Sequence, residues 1–170
     1  GGPCLTVSQF ELSTISALLT ARQWLMEDQV KAVLFGAVDE ICPVLGYSYD
    51  RFFGVETDGP IEPFAGARQT AVMGEGAAFM LLTLDDGAGT GYGCIVRMTW
   101  TQSQHCTIPS ASQVVLGAVG HVCCAKDYRR LAAQTQPIAY SPLYGSLPGG
   151  QAFDVAISAC LAAEQKMKSH

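Results

Sequence analysis

Few side chains in this sequence can carry covalent or acid–base chemistry, since it contains seven cysteines and three histidines. The cysteines are Cys4, Cys42, Cys94, Cys106, Cys123, Cys124 and Cys160. No two of them have C-x-x-C spacing, so the sequence offers neither a zinc knuckle nor a redox motif. We therefore predict reduced cysteines that pack as small hydrophobic side chains. Such usage favours a reducing, cytoplasmic compartment.

The composition is that of a globular domain with an unusually uncharged surface. Hydrophobic residues make up 49% of the chain and charged residues 15%, against the ~25% charge of an ordinary soluble domain. We expect a partner chain or a symmetry mate to cover part of such a surface. The net charge of -5, with only 10 Lys+Arg, argues against nucleic-acid binding. No apolar run approaches the ~20 residues that a membrane-spanning helix needs.

Hydrophobic patterning predicts strands alternating with helices, and hence an α/β chain with a mixed or parallel sheet. Strands are predicted at residues 4–7, 31–38, 77–84 and 94–100. The second of these is continuously apolar, which is typical of a strand covered on both faces. Helical spacing predicts one helix that ends near residue 27 and another over residues 152–167. Residues 43–68, rich in aromatic residues, Gly and Pro, predict a long ordered loop with room for a short helix.

Three segments carry a resemblance to a known family, in matching order and spacing over residues 2 to about 84. They read G-P-C-L-T-V-S-Q-F-E-L-S from residue 2, A-V-L-F-G-A-V-D-E from residue 32 and V-M-G-E-G-A-A from residue 72. These segments resemble β-ketoacyl synthases, where they usually read G-P-x-x-T-V-x-x-x-C-S-S, A-L-V-G-G-V-D-E and V-M-G-E-G-A-G. A fainter match covers residues 149–163, which look like the late glycine–alanine helix of the family.

The resemblance implies a thiolase-like fold of the layered αβαβα architecture, lacking the first strands of its N-terminal half. It predicts one ketosynthase-like region over residues 1–170. Residues 1–90 would be the later part of the N-terminal half, and residues 91–170 a shortened C-terminal half.

Glu11 occupies the position at which the resemblance places the nucleophilic cysteine. The family chemistry needs a thiol at the N-terminus of a buried helix, where the dipole and backbone N–H groups lower its pKa and stabilise the oxyanion. A carboxylate cannot form the stable acyl thioester that condensation requires, and Cys4 lies too early to replace it. The alternative is that Glu11 is an ordinary charge in the first helical turn. Both interpretations predict that no thioester forms.

The resemblance also implies two catalytic histidines and a binding site for an acyl chain. His121 is the nearest candidate for the first histidine, although the threonines that follow it in the family are absent; a core or surface histidine is the alternative. Tyr144 and Gly145 stand where the second histidine is expected. Candidate substrate-binding residues are Phe10, Phe52, Phe53, Gly74 and Gly76. Ordinary loop packing of the aromatic residues, or a structural turn at the glycines, explains them equally well.

In the family fold, the strands that precede residue 4 lie between the strands at residues 4–7 and 31–38. Burying the latter strand without these neighbours would leave backbone groups unpaired, at ~1–3 kcal/mol each. We therefore expect a companion chain to supply the missing strands, or this chain to be one product of a cleaved protein, unless the fold is rearranged.

Three functions remain open at this point. The first is a non-condensing subunit, similar to the chain-length factors of polyketide and polyene systems. It would form a heterodimer with an active ketosynthase in fatty-acid or polyketide biosynthesis, shape the acyl-chain pocket and meet an acyl carrier protein. The second is a decarboxylase or hydrolase of acyl thioesters, with Glu11 as general base in a dry pocket that raises its pKa. The third is a docking module for an acyl carrier. None of the three requires a cofactor or a metal.

Overall fold

The computed structural model describes residues 2–54, 59–87, 91–102, 105–108 and 113–168. It is a mixed α/β chain in which most of the regular structure is helical. In chain order the elements are a first 3-10 turn (Phe10–Leu12), α1 (Ser13–Met26), β1 (Ala32–Asp39), α2 (Pro43–Phe53), β2 (Gly76–Thr83), a second 3-10 turn (Val122–Cys124), α3 (Ala125–Ala132), α4 (Ser141–Tyr144) and α5 (Gly150–Lys168). No helix in the described ranges is long and apolar enough to cross a membrane.

Strands β1 and β2 form an antiparallel ladder whose register runs from Ala32 opposite Thr83 to Asp39 opposite Gly76. Alternate residues of each strand point to one face of this ladder. On that face, Phe35 and Ala78 are buried together with Leu18 of α1 and Ala152 of α5. The core therefore lies between one face of the sheet and two helices, which explains why both strands were predictable from their apolar runs.

The opposite face of the sheet is exposed, which corrects the expectation that residues 31–38 are covered on both faces. Its large side chains keep most of their surface in solvent: Leu34 72%, Val38 65%, Phe79 60% and Leu81 70%. The Phe79 ring lies over Gly36, so closely that a side chain at Gly36 would collide with it. We call Leu34, Val38, Phe79 and Leu81 the outer sheet face. The apolar run was recognised correctly, but the described residues cover only its inner side.

Two other predicted strands are wrong. Residues 4–7 form no strand, and Cys4, Leu5 and Thr6 are exposed, because no strand within the described ranges lies alongside to accept their backbone hydrogen bonds. Residues 94–100 also lack strand structure, although Met98 packs against the core. The helix predicted at residues 152–167 is confirmed as α5, and the loop predicted at residues 43–68 begins with the eleven-residue helix α2.

The packing predicted for the cysteines is also wrong. All seven are free thiols, but only Cys106 and Cys124 are partly covered, while the other five are exposed. Small apolar side chains belong in a core when the chain covers them. Here five of the cysteines lie in segments that the described residues do not cover.

The end of β1 is tied to the start of α5. A carboxylate oxygen of Asp39 accepts a hydrogen bond from the Gly149 N–H at 2.5 Å. This contact satisfies a backbone donor next to the helix N-terminus, where negative charge is favourable. A side chain at Gly149 would clash with the same carboxylate and approach Ala37. The glycine therefore allows β1 and α5 to approach each other closely.

Candidate functional site

Glu11 lies in the first 3-10 turn, immediately before α1 begins. Hydrogen bonds from Gln9 N–H to Ser13 Oγ (2.8 Å) and from Ser16 Oγ to Gln9 Oε1 (2.7 Å) fix this turn. Phe10 has a φ of 49°, a left-handed conformation that is unusual for a residue with a side chain. Glu11 is exposed, but its backbone stands at the mouth of α1, at the helix N-terminus.

Helix α1 is anchored by one buried face. Thr14, Leu18, Ala21 and Leu25 are its buried residues, at the spacing that places them along one side of a helix. Thr14 lies one turn after Glu11 and is the first buried residue of α1. The Thr14 hydroxyl is buried without a hydrogen-bond partner among the described residues.

The charge of the Glu11 carboxylate influences side chains on three other elements. Burial raises the pKa of Tyr49 on α2, and the negative charge of Glu11 raises it further. The same two causes, in the same order, raise the pKa of Cys124. Burial also raises the pKa of Tyr128 on α3, followed by the charges of Cys124 and Glu11. Such interactions fall off with distance, and the negative charge of Glu11 acts on one residue each of α2, the second 3-10 turn and α3.

His121 directly precedes the second 3-10 turn and is 5% exposed. Its Nδ1 accepts a hydrogen bond from the Cys123 N–H at 3.2 Å. An Nδ1 that accepts leaves the ring proton on Nε2. Nε2 is buried and has no hydrogen-bond partner among the described residues. His121 therefore presents a buried N–H donor that a carbonyl or carboxylate oxygen can accept.

The backbone on both sides of His121 is held in place. The Arg68 N–H donates to the Gly120 carbonyl at 3.2 Å, and the Val122 N–H donates to the Arg68 carbonyl at 2.8 Å. Gly120 has a φ of 74°, and a side chain there would collide with the Glu62 carbonyl oxygen. Only glycine adopts this conformation without strain. Gly120 is therefore needed to hold the neighbouring His121 in its position.

One aromatic side chain of α2, Phe53, contacts His121. The Phe53 ring meets the imidazole edge-on, with centroids 5.3 Å apart and an interplanar angle of 82°. Tyr49 packs on Phe53 at 5.5 Å and Phe52 lies 6.5 Å from Phe53. Such edge-to-face contacts add to the stability that burial gives. Phe52 and Phe10, by contrast, are largely exposed.

Of the predicted site residues, Phe53 and His121 contact each other, Glu11 stands at the head of α1, and Gly74 and Gly76 flank Glu75 at the start of β2. A side chain at Gly74 would collide with the Tyr144 carbonyl oxygen, and one at Gly76 would press on the Phe153 ring. Gly74 borders a cavity of about 360 Å³ whose walls include Ile61, Val72, Met73, Glu75, Pro142 and Leu143. Close backbone approach is therefore the role that the structure gives to Gly74.

Glu75, between these two glycines, accepts a hydrogen bond from the Ile41 N–H at 3.2 Å through one carboxylate oxygen. The contact ties the start of β2 to the segment between β1 and α2. This agrees with the interpretation of the Gly-Glu-Gly turn as a structural bend.

Sequence reasoning missed a polar cluster on α5. The Tyr144 hydroxyl donates to Asp154 Oδ1 at 2.8 Å, and the Tyr128 hydroxyl donates to the Gly117 carbonyl at 2.7 Å. Burial raises the pKa of Asp154, although the hydrogen bond from Tyr144 lowers it. The available signal was an acidic residue among apolar residues in the first turns of the helix predicted at residues 152–167, since a carboxylate that is covered needs a partner.

The structure offers no obvious metal site. Among the described residues, no group of three or more His, Cys, Asp or Glu side chains could hold a metal ion. The buried Nε2 of His121, which has no hydrogen-bond partner among the described residues, can bind or position an oxygen-containing group.

The described residues form a mixed α/β domain with a carboxylate at the head of α1 and a Gly-Glu-Gly turn at the start of β2. The family model of the β-ketoacyl synthase N-terminal domain matches residues 1–87, which is half of the chain. The chain therefore belongs to the β-ketoacyl synthase family, as the three segments predicted, and its helices and small sheet are consistent with a truncated thiolase-like fold. No curated protein and no solved structure matches it.

Proposed function

We propose that this chain is a non-condensing β-ketoacyl-synthase-like subunit that acts with an active ketosynthase in fatty-acid or polyketide biosynthesis. The observation that carries the proposal is a carboxylate at the head of α1 in a member of a family whose chemistry uses a thiol there. Glu11 cannot hold an acyl group as a thioester. Its exposure also deprives it of the dry surroundings that a general base of raised pKa needs.

The contact between Phe53 and His121 supports a role in shaping an acyl site. The Phe53 ring lies against the buried His121 imidazole, so an apolar surface and a hydrogen-bond donor lie side by side. An acyl thioester presents the same two features, an apolar chain and a carbonyl oxygen. The subunit would therefore line and orient such a chain while the companion supplies the nucleophile.

The outer sheet face supports the requirement for a companion. Four large apolar side chains on two strands form a patch of roughly several hundred Å², the size at which a patch marks an interaction surface. In a layered fold this face is covered by helices. We propose that the companion ketosynthase covers it, and that an acyl carrier protein delivers the chain to the assembled pair.

The test is acylation, followed by intact mass. The purified chain is incubated with an acyl-carrier thioester, with an active ketosynthase as the positive control, and any adduct is mapped to its residue. We expect no stable acyl adduct on the chain, because a mixed anhydride at Glu11 would hydrolyse. A stable, stoichiometric acyl-enzyme on the natural sequence would refute the non-condensing role.

A matched pair of cysteine variants sharpens this test. Glu11→Cys restores a thiol at the N-terminus of α1, whereas Glu27→Cys places one at the opposite end of the same helix, where Glu27 follows the last turn. The N-terminus of a helix lowers the pKa of a thiol. A thiol whose pKa is lower by one unit has about tenfold more thiolate. We expect Glu11→Cys to be acylated about tenfold faster than Glu27→Cys. Equal rates would show that the head of α1 does not favour acyl transfer.

A further inference from the structure

Two free thiols lie beside a contact between residues 91–100 and helix α5. A Cβ atom built on Gly93 would lie 3.7 Å from the Ala162 Cβ and 4.0 Å from the Ala159 Cα. Because a carbon–carbon bond is about 1.5 Å long, the Cα atoms of Gly93 and Ala159 are no more than about 5.5 Å apart. Cys94 is the residue after Gly93, and Cys160 is the residue after Ala159.

This contact fits the spacing of a disulfide, which joins residues whose Cα atoms are about 4.4–6.8 Å apart. Gly93 and Ala159 do not exceed this separation, and each cysteine stands one residue beyond them. Residues 91–100 form no helix or strand. The small shift that brings the two sulfur atoms within bonding distance therefore breaks no regular backbone hydrogen bonds.

A second contact places the same segment along α5. Met98, which follows Cys94 in the segment, packs against the core cluster that includes Ala152, a residue of α5 that precedes Cys160. The segment and α5 therefore run side by side in opposite directions between the two contacts. Both thiols are free and exposed, so an oxidant in solution reaches them.

We propose that Cys94 and Cys160 form a reversible disulfide that fastens residues 91–100 to α5 when the surrounding thiol pool is oxidised. A small-molecule disulfide such as oxidised glutathione is the oxidant. The thiolate of one cysteine attacks this disulfide, forms a mixed disulfide and releases one glutathione thiolate. The thiolate of the other cysteine then attacks the protein sulfur of the mixed disulfide and releases the second glutathione. Two protein thiols are oxidised, one glutathione disulfide is reduced, and the two thiol protons end on the released glutathione.

The bond acts as a redox-sensitive restraint on the segment. Exposed disulfides are the labile and regulatory ones, whereas structural disulfides resist reduction. With the bond closed, the segment that carries Met98 is held on the core by a covalent link, and with the bond open it is held by packing alone. The inference does not depend on the proposed function.

Peptide mapping of the full chain without reduction tests the inference. The folded chain is incubated with oxidised glutathione, its remaining thiols are alkylated, and it is cleaved with trypsin. Cys94 is the sole cysteine of the tryptic peptide 69–97, and Cys160 is the sole cysteine of peptide 131–166, so their crosslink has a unique mass. We expect this crosslink to exceed every other cysteine pair about tenfold, because proximity raises the effective concentration of the second thiol. Dithiothreitol should remove it.

Controls separate the effect of the fold from that of the sequence. The same chain unfolded in urea should show no preference for this pair, since the contact at Gly93 is then absent. Cys123→Ser, at another exposed cysteine, should leave the crosslink unchanged. Cys160→Ser should abolish it and leave Cys94 as a mixed disulfide with glutathione.

Urea unfolding provides the second measurement. Oxidation should raise the urea midpoint of the unsubstituted chain, because a crosslink restricts the unfolded state, and should leave the midpoint of Cys160→Ser unchanged. A scrambled set of pairs, mixed disulfides at Cys94 and Cys160 without a crosslink, or the same preference in the unfolded chain would overturn the inference. These outcomes do not affect the acylation test, so the proposed function would stand or fall separately.

Discussion

The hydrogen bond between Tyr144 and Asp154 gives a prediction in which both the size and the pH dependence follow from the structure. Tyr144→Phe removes the hydroxyl that donates to Asp154 Oδ1 at 2.8 Å. A hydrogen bond to a charged group contributes ~1.5–3 kcal/mol. Because both groups are only partly buried, we expect the low end, a loss of about 2 kcal/mol in the free energy of unfolding at pH 8.

The sign of the pH effect follows from the pKa of Asp154. Burial raises that pKa above 3.8, and the Tyr144 hydrogen bond opposes the rise. A carboxyl group whose pKa is raised in the folded state leaves the free energy of unfolding unchanged at pH values below its unfolded pKa. It lowers that free energy progressively as the pH rises through its folded pKa. Without the hydroxyl the folded pKa rises further, so the variant loses more at pH 8 than at pH 4, where we expect a loss of about 1 kcal/mol for a neutral hydrogen bond.

Urea unfolding at pH 4 and pH 8 measures this difference. Tyr92→Phe, at an exposed tyrosine, is the matched control and should change the free energy of unfolding by less than about 0.5 kcal/mol. In an Asp154→Asn background the extra loss of Tyr144→Phe at pH 8 should disappear, because no carboxylate remains to ionise. Equal losses at the two pH values, or a pH-dependent loss that persists in that background, would refute the reasoning.

Two further predictions concern packing. Phe35→Ala should lower the free energy of unfolding by ~3–5 kcal/mol, whereas Leu34→Ala should lower it by under about 0.5 kcal/mol in the isolated chain. Urea unfolding measures both losses, and equal losses would contradict the assignment of the two sheet faces. Gly74→Ala should destabilise by ~1–3 kcal/mol, because its methyl group meets the Tyr144 carbonyl, while Gly46→Ala, in open space on α2, should stabilise by up to ~1 kcal/mol. Thermal denaturation of the pair checks this, and a stable Gly74→Ala variant would exclude the close backbone approach.

How far the sequence predicts the fold depends on whether the signal is local. Strands β1 and β2 and helix α5 follow from continuous or periodic apolar residues. The start and end of α2 also have local signals in Pro43 at its first turn and Gly54 after its last residue, since proline favours the first turn and glycine the C-terminal end. Which face of β1 is covered has no local signal, because Leu34 and Val38 are as apolar as Phe35. The same holds for residues 4–7, whose apolar run forms no strand without a neighbour.

The role of Glu11 stays a prediction that rests on its position in the resemblance. The contact between Phe53 and His121 joins residues far apart in sequence, and no local pattern indicates it. Aromatic residues in a loop and a lone histidine are compatible with too many packings for sequence alone to select this one.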